Sequence, residues 1–274
     1  MDFKRVMGIV LLLVFFINCS DKNSLEYIRE AEDAYAKKNY SNSILLSNKA
    51  IELDYKNSTA YMIRGSAKVA TDDFKGALED FNKAVNLGSE DIELFYRRAK
   101  VLEALGKKDI SIEEYNKIIE KDSLHYKAYN DRGLLKIEKQ KFEESLNDFT
   151  KAININPNEA VIYNNRGLAK ENLKDYFGAI EDYTIAIEIK SDDYIFYYNR
   201  SNAKYILRDF KGSLEDINVA ISFNKANGFL FNDRGLLNHV LKNESAACDD
   251  WKKANELGFK DSNYYYNKFC LSNQ

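Results

Sequence analysis

The chain has 274 residues, 45% of them hydrophobic, with 40 basic against 43 acidic side chains and a single proline. That balance leaves no basic stripe of the kind nucleic-acid binding needs. Three cysteines and two histidines, well separated, give no zinc-ligand spacing, and no cofactor motif is present.

Lys4 and Arg5 precede an apolar run from Val6 to Ile17, followed by Asn18, Cys19 and Ser20. A short positive segment and then about 7–15 apolar residues read as an export signal, and the run falls short of the about 20 residues that span a membrane. The cysteine directly after the run resembles a bacterial lipoprotein signal. That resemblance implies removal of residues 1–18, a lipid on Cys19, and attachment to a bacterial membrane in the cell envelope, facing the periplasm or the outside. Asn18 departs from the small residue such signals carry before the cysteine. The competing reading is an ordinary signal, or an uncleaved anchor, with an incidental cysteine. Residues 19–23 are then the lipidated N-terminus and a short linker, which at about 3.5 Å per residue starts the rest of the chain within roughly 14 Å of its lipid.

From Ser24 onward, seven blocks of 34 residues fit without a gap over 24–261 and leave 262–274. Arginine recurs at Arg64, Arg98, Arg132, Arg166, Arg200 and Arg234, with an aromatic three residues before each (Tyr61, Phe95, Tyr129, Tyr163, Tyr197, Phe231). A carboxylate follows each at a constant interval: Asp80, Glu114, Asp148, Asp182, Asp216 and Asp250. Such a register is the signature of a repeat array. The array leaves no sequence for a catalytic domain, so a non-enzymatic protein is expected.

Each block is helical twice over. In block five, Tyr176, Ala179, Ile180, Tyr183, Ala186 and Ile187 make an apolar stripe with helical period. Asp73, Asp175 and Asp209 stand where a second helix begins and can cap its free amides. Gly65, Gly133, Gly167 and Gly235 share one position, with Ala99 and Ser201 in two other blocks. Glycine inside a helix costs about 1 kcal/mol, so its recurrence argues for close helix–helix approach. The aromatic at Tyr40, Phe74, Phe142, Tyr176 and Phe210 is expected to fill the space beside it.

These residues resemble the tetratricopeptide repeats (TPR). Block four supplies Tyr129, Gly133, Phe142, Phe149, Ala152 and Pro157 at the family's places, and the likeness covers residues 24–261. Block three departs with Lys108 for an aromatic and Ile118 for alanine, and is where stacking is expected to be least regular. Block seven has Glu244 and Trp251, and block one lacks the arginine and the carboxylate. The resemblance implies an all-α, right-handed superhelical solenoid of helix–turn–helix units, about seven repeats, with 262–274 as a C-terminal capping helix. It also implies a concave groove, lined by first helices, that takes a peptide or helix of a partner protein. The family's groove positions fall here on Tyr96, Asn130, Asn164, Asn165, Tyr198, Asn199 and Asn232, with Tyr205 nearby. Asparagine donates and accepts and can satisfy an extended peptide, and tyrosine adds apolar area. For any one of them, solvated surface is the alternative. The lysine–asparagine clamp that some members use for a partner's terminal carboxylate is missing, since Asn164 and Leu168 stand in its place.

The arginine–carboxylate ladder reads as structural ion pairs holding register between helices rather than as a ligand strip. His125 and His239 have no nucleophile and acid at a shared helical spacing. Cys248 and Cys270 sit on elements that should pack together: a disulfide, permitted by export, and two separate small core residues are both open readings. The expected function is a membrane-anchored, non-enzymatic scaffold for protein–protein interaction. The alternative is a soluble periplasmic or secreted assembly factor acting as a homo-oligomer.

Overall fold

A computed structural model describes residues 22–271. The expected signal, 1–18, and the lipidation site Cys19 lie outside the described residues, as do 272–274. No described helix is long and apolar enough to cross a membrane.

The described chain is all helical and pairs its helices block by block. Unit one, ending at Lys121, holds α1 (Ser24–Ala36) with α2 (Tyr40–Leu53), α3 (Ser58–Val69) with α4 (Phe74–Asn86), and α5 (Ile92–Ala104) with α6 (Lys108–Lys121). Unit two, from Asp122, holds α7 (Tyr126–Glu138) with α8 (Phe142–Ile155), α9 (Ala160–Asn172) with α10 (Tyr176–Ile189), and α11 (Tyr194–Ile206) with α12 (Phe210–Phe223). It closes with α13 (Gly228–Val240), α14 (Glu244–Glu256) and a short α15 (Ser262–Tyr266). The register runs through all seven pairs, yet compactness breaks after α6, in the block whose Lys108 and Ile118 depart from the pattern. The expected capping helix is this α15 followed by one π-helical stretch, Asn267–Leu271.

Six of the seven pairs are joined by three residues and α3–α4 by four. The next-to-last residue of each turn has positive φ: Lys38, Asp72, Gly106, Gln140, Lys174, Arg208 and Lys242. The amide after it reaches back to the last turn of the first helix, as Asp175 N does to Lys170 O at 2.9 Å. This is the left-handed helix stop, and only Gly106 meets it without a side-chain penalty. Asp73, Asp175 and Asp209 then cap α4, α10 and α12, accepting from the amides of Gly76, Gly178 and Gly212. A Cβ on any of those glycines would stand 2.3 Å from the capping carboxylate, which ties the two residue types together.

In the four first helices that carry the shared glycine, it faces a ring, but not the expected one. A Cβ on Gly65, Gly133, Gly167 or Gly235 would meet Phe81, Phe149, Tyr183 or Trp251 at 2.5 to 2.7 Å. The mid-repeat aromatics Phe74 and Phe142 begin the second helix, and the rings seven residues further along take the glycine. Ala99 stands in the glycine place of block three and Ser201 in that of block six, where the second helix offers Ile217. The core is a string of local clusters shared by adjacent repeats, such as Phe149, Ala152, Ile162, Tyr163 and Phe196 in unit two.

Candidate partner-binding face of the first helices

Within each unit, first helices approach the next first helix but one element away (α1 to α3, α3 to α5; α7 to α9, α9 to α11), whereas no pair of second helices does so to the same degree. Elements that approach more closely lie on the inner side of a curved stack, so the first helices form the inner face of each unit.

An ion-pair ladder ties together the two helices of repeats two to seven. Arg64, Arg132, Arg166, Arg200 and Arg234 reach Asp80, Asp148, Asp182, Asp216 and Asp250 at 2.5 to 2.7 Å, and Arg98 pairs with Glu114. Each pair joins the two helices of one repeat. Each guanidinium also lies over the ring three residues before it, at 5.3 to 5.8 Å. A third hydrogen bond ties some arginines to the preceding repeat, Arg64 to Asn48 and Arg234 to Asn218. A second cation, not evident from the sequence, joins four of the pairs: Lys68, Lys136, Lys170 and Lys204 contact the same carboxylates at 2.7 to 2.9 Å. In block seven Asn238 takes that place with a hydrogen bond to Asp250.

The groove residues are more internally engaged than asparagines awaiting a peptide would be. Asn164, Asn165 and Asn232 are buried. Asn165 donates to Asn130 at 2.9 Å and Asn199 donates to Asn164 at 2.8 Å, each across one repeat. The Tyr198 hydroxyl continues the pattern by donating to Asp233 at 3.0 Å. In unit two, then, Asn130, Asn164, Asn165, Tyr198 and Asn199 form a hydrogen-bonded rail joining successive first helices. Asn232 donates to Asp233 at 3.2 Å and leaves its own carbonyl oxygen buried without a partner. Tyr96, in unit one, packs its ring against Tyr115. Tyr205 is the most open of the set, 41% exposed, with its ring edge-on to Phe210.

Beside Tyr205 the inner face of unit two is indented. A recess of about 210 Å³ is lined by Ser201, Asn202, Tyr205, Ile217, Asp233 and Leu236, among others. Ile217 lines it where other repeats have the rings Phe81, Tyr115, Phe149, Tyr183 and Trp251, and a recess of about 320 Å³ occupies the matching place in unit one, lined by Phe81 and Arg97. Burial pushes the Asp233 carboxyl above its usual range, and the bonds from Asn232 and Tyr198 only partly oppose this. Burial likewise raises the Glu171 carboxyl, against a bond from Tyr183. The Tyr198 hydroxyl is pushed up by burial first and by the charges of Asp233 and Glu171 in addition. Asp233 was not among the residues that the sequence singled out; an acid there, where repeat three has Arg97, was the signal available.

Outside this face, His125 Nδ1 caps α7 by accepting from the Ala128 amide, and His239 pairs with Glu244 while its ring lies on Phe269. Cys248 and Cys270 are disulfide-bonded, with Cα atoms 5.8 Å apart. Among the described residues no group of three His, Cys, Asp or Glu side chains could hold a metal ion.

Family profiles described as TPR repeat and tetratricopeptide repeat match residues 133–174 and 160–193. No curated protein matches the sequence. Among solved structures, a tetratricopeptide repeat protein from Parabacteroides merdae is 19% identical with TM-score 0.68, over 90% of this chain and 98% of its own. The C-terminal part of a TPR repeat-containing protein from Cytophaga hutchinsonii is 19% identical with TM-score 0.70, over 86% and 97%. YrrB, described as a TPR protein with an unusual peptide-binding site, is 24% identical with TM-score 0.58, over 65% and 92%.

Proposed function

The chain is a tetratricopeptide-repeat protein, and from that premise we propose that it is a non-catalytic scaffold, lipid-anchored at Cys19 in a bacterial cell envelope, that binds an extended segment of a partner protein. Proteins of this repeat type are generally scaffolds rather than catalysts, and YrrB provides a precedent for peptide binding on the same fold. The observation that carries the reading is the inner face of unit two. Its first helices are joined side by side by the Asn130–Asn165 and Asn164–Asn199 bonds and present the Tyr205 recess between them. A rail bonded to itself is held rigid before any partner arrives, which lowers the ordering cost of association. Tyr205 offers apolar area and a hydroxyl where most side chains around it are already engaged.

Photo-crosslinking in native membranes tests this. A crosslinker at position 205 should capture a partner, whereas one at Phe177, 71% exposed on a second helix, should not. Capture from 177 alone would move the interface to the outer side. The anchor is tested separately by labelling cells with a fatty-acid analogue: label should be lost in Cys19→Ala, and label that survives would remove the lipoprotein reading.

A further inference from the structure

The other buried carboxylates on this chain's regular positions have cations. Asp80, Asp148, Asp182 and Asp216 each contact an arginine and a lysine. Asp250 has Arg234 and the Asn238 amide. Asp233 is different: its partners are a phenol and an amide, and no cation contributes to its electrostatics. Glu171, which acts electrostatically on the same Tyr198, likewise has only the Tyr183 hydroxyl. A half-buried carboxylate without a counter-charge costs stability, and the cost is removed when a cation with good geometry arrives. Asp233 lines an indentation with room for several waters or the end of one long side chain. Its floor is small and polar, with Ser201 donating to the Ser213 carbonyl, and its walls are Tyr205, Ile217 and Leu236. An apolar wall with an acid at one end suits a side chain that is itself apolar along its stem and cationic at its tip.

We propose that the recess between repeats six and seven receives one lysine or arginine side chain of the bound segment, its stem along Tyr205 and Leu236 and its cationic head on Asp233. This rests on the reading of the inner face as a peptide site, and adds the residue that site selects. What sets this recess apart is its charge: the one at the matching place in unit one is lined by Phe81 and Arg97 where this one has Ile217 and Asp233.

The test uses the full chain and a positional-scanning library of acetylated, amidated decapeptides as probe. Wild type should enrich lysine or arginine at one library position by tenfold or more, about 1.4 kcal/mol by the thermal conversion. Asp233→Asn, which keeps the shape and can still meet Tyr198, should lose that enrichment while keeping selection at other positions. Asp233→Arg, which gives the recess the charge that Arg97 gives the matching one in unit one, should lose it as well. Selection with no basic preference, or a preference that survives either variant, overturns the inference and leaves the peptide site standing. A wild-type chain that selects no peptide overturns the peptide site, and the inference with it.

Discussion

Asp182 is 1% exposed and lies between two cations, Arg166 at 2.6 Å and Lys170 at 2.9 Å. Removing its charge while keeping its shape leaves both cations near the core without a counter-ion. Breaking a buried pair from one side costs about 3–5 kcal/mol, because the remaining charge is not resolvated. Asp182→Asn should therefore lower stability by about that amount in urea unfolding. Asp250→Asn should cost less, since Asn238 stands where repeats two, four, five and six have lysine and only Arg234 is stranded. Equal losses at the two sites would mean that the lysines add nothing and that the arginine alone sets the cost. The Arg–carboxylate pairing was legible in the sequence because both partners lie in one repeat at one constant interval. The lysine was not, because its contact depends on how the first helix is rotated about its axis.

At the scale of elements, the helix pairs were readable from apolar period and from the capping aspartates, which are local signals. What was not readable depends on neighbours brought together by stacking. The Asn130–Asn165 and Asn164–Asn199 bonds join residues 35 apart, one more than the repeat, so each bond runs between unlike positions of adjacent units. The ring opposite each glycine was misassigned for a related reason, since Phe74 and Phe81 both lie in α4 and only the packing selects Phe81. The inter-helix turn hid itself differently: six of its seven left-handed residues are not glycine. Exposed Lys174, with φ of 65°, holds a conformation that costs a side-chain-bearing residue about 1–2 kcal/mol. Glycine's extra unfolded-state freedom takes back about 0.5–1 kcal/mol. Lys174→Gly should thus raise stability by about 0.5–1 kcal/mol. The mirror change, Gly106→Ala, meets no atom within 4 Å, so its loss of about 1 kcal/mol would be purely conformational. Both are measured as shifts in urea midpoint at unchanged slope, and opposite signs are required. A neutral Gly106→Ala would mean that the turn is relaxed rather than held.

For the whole molecule, compactness and repeat register divide the chain differently, and unfolding should follow compactness. A repeat array is stabilised by contacts between neighbours, so a weak junction lets one part unfold while another persists. The break lies after Lys121. The chain's single tryptophan, Trp251, lies in unit two, buried under Tyr265 and Phe269 at ring distances of 5.6 and 5.8 Å. The segment carrying those rings is tied back by the Cys248–Cys270 bond across a separation of 22 residues. A loop of that size is worth about 3 kcal/mol in the chain-entropy account. With urea slopes of about 1–3 kcal/mol per molar, reduction should move the Trp251 fluorescence transition down by about 1 M or more. Far-UV circular dichroism, which reports every helix, should then separate into two steps. The later step should keep its midpoint, because unit one contains no part of the disulfide. A single transition that moves as a block by both probes would make the seven repeats one cooperative body and leave the compactness break without energetic consequence.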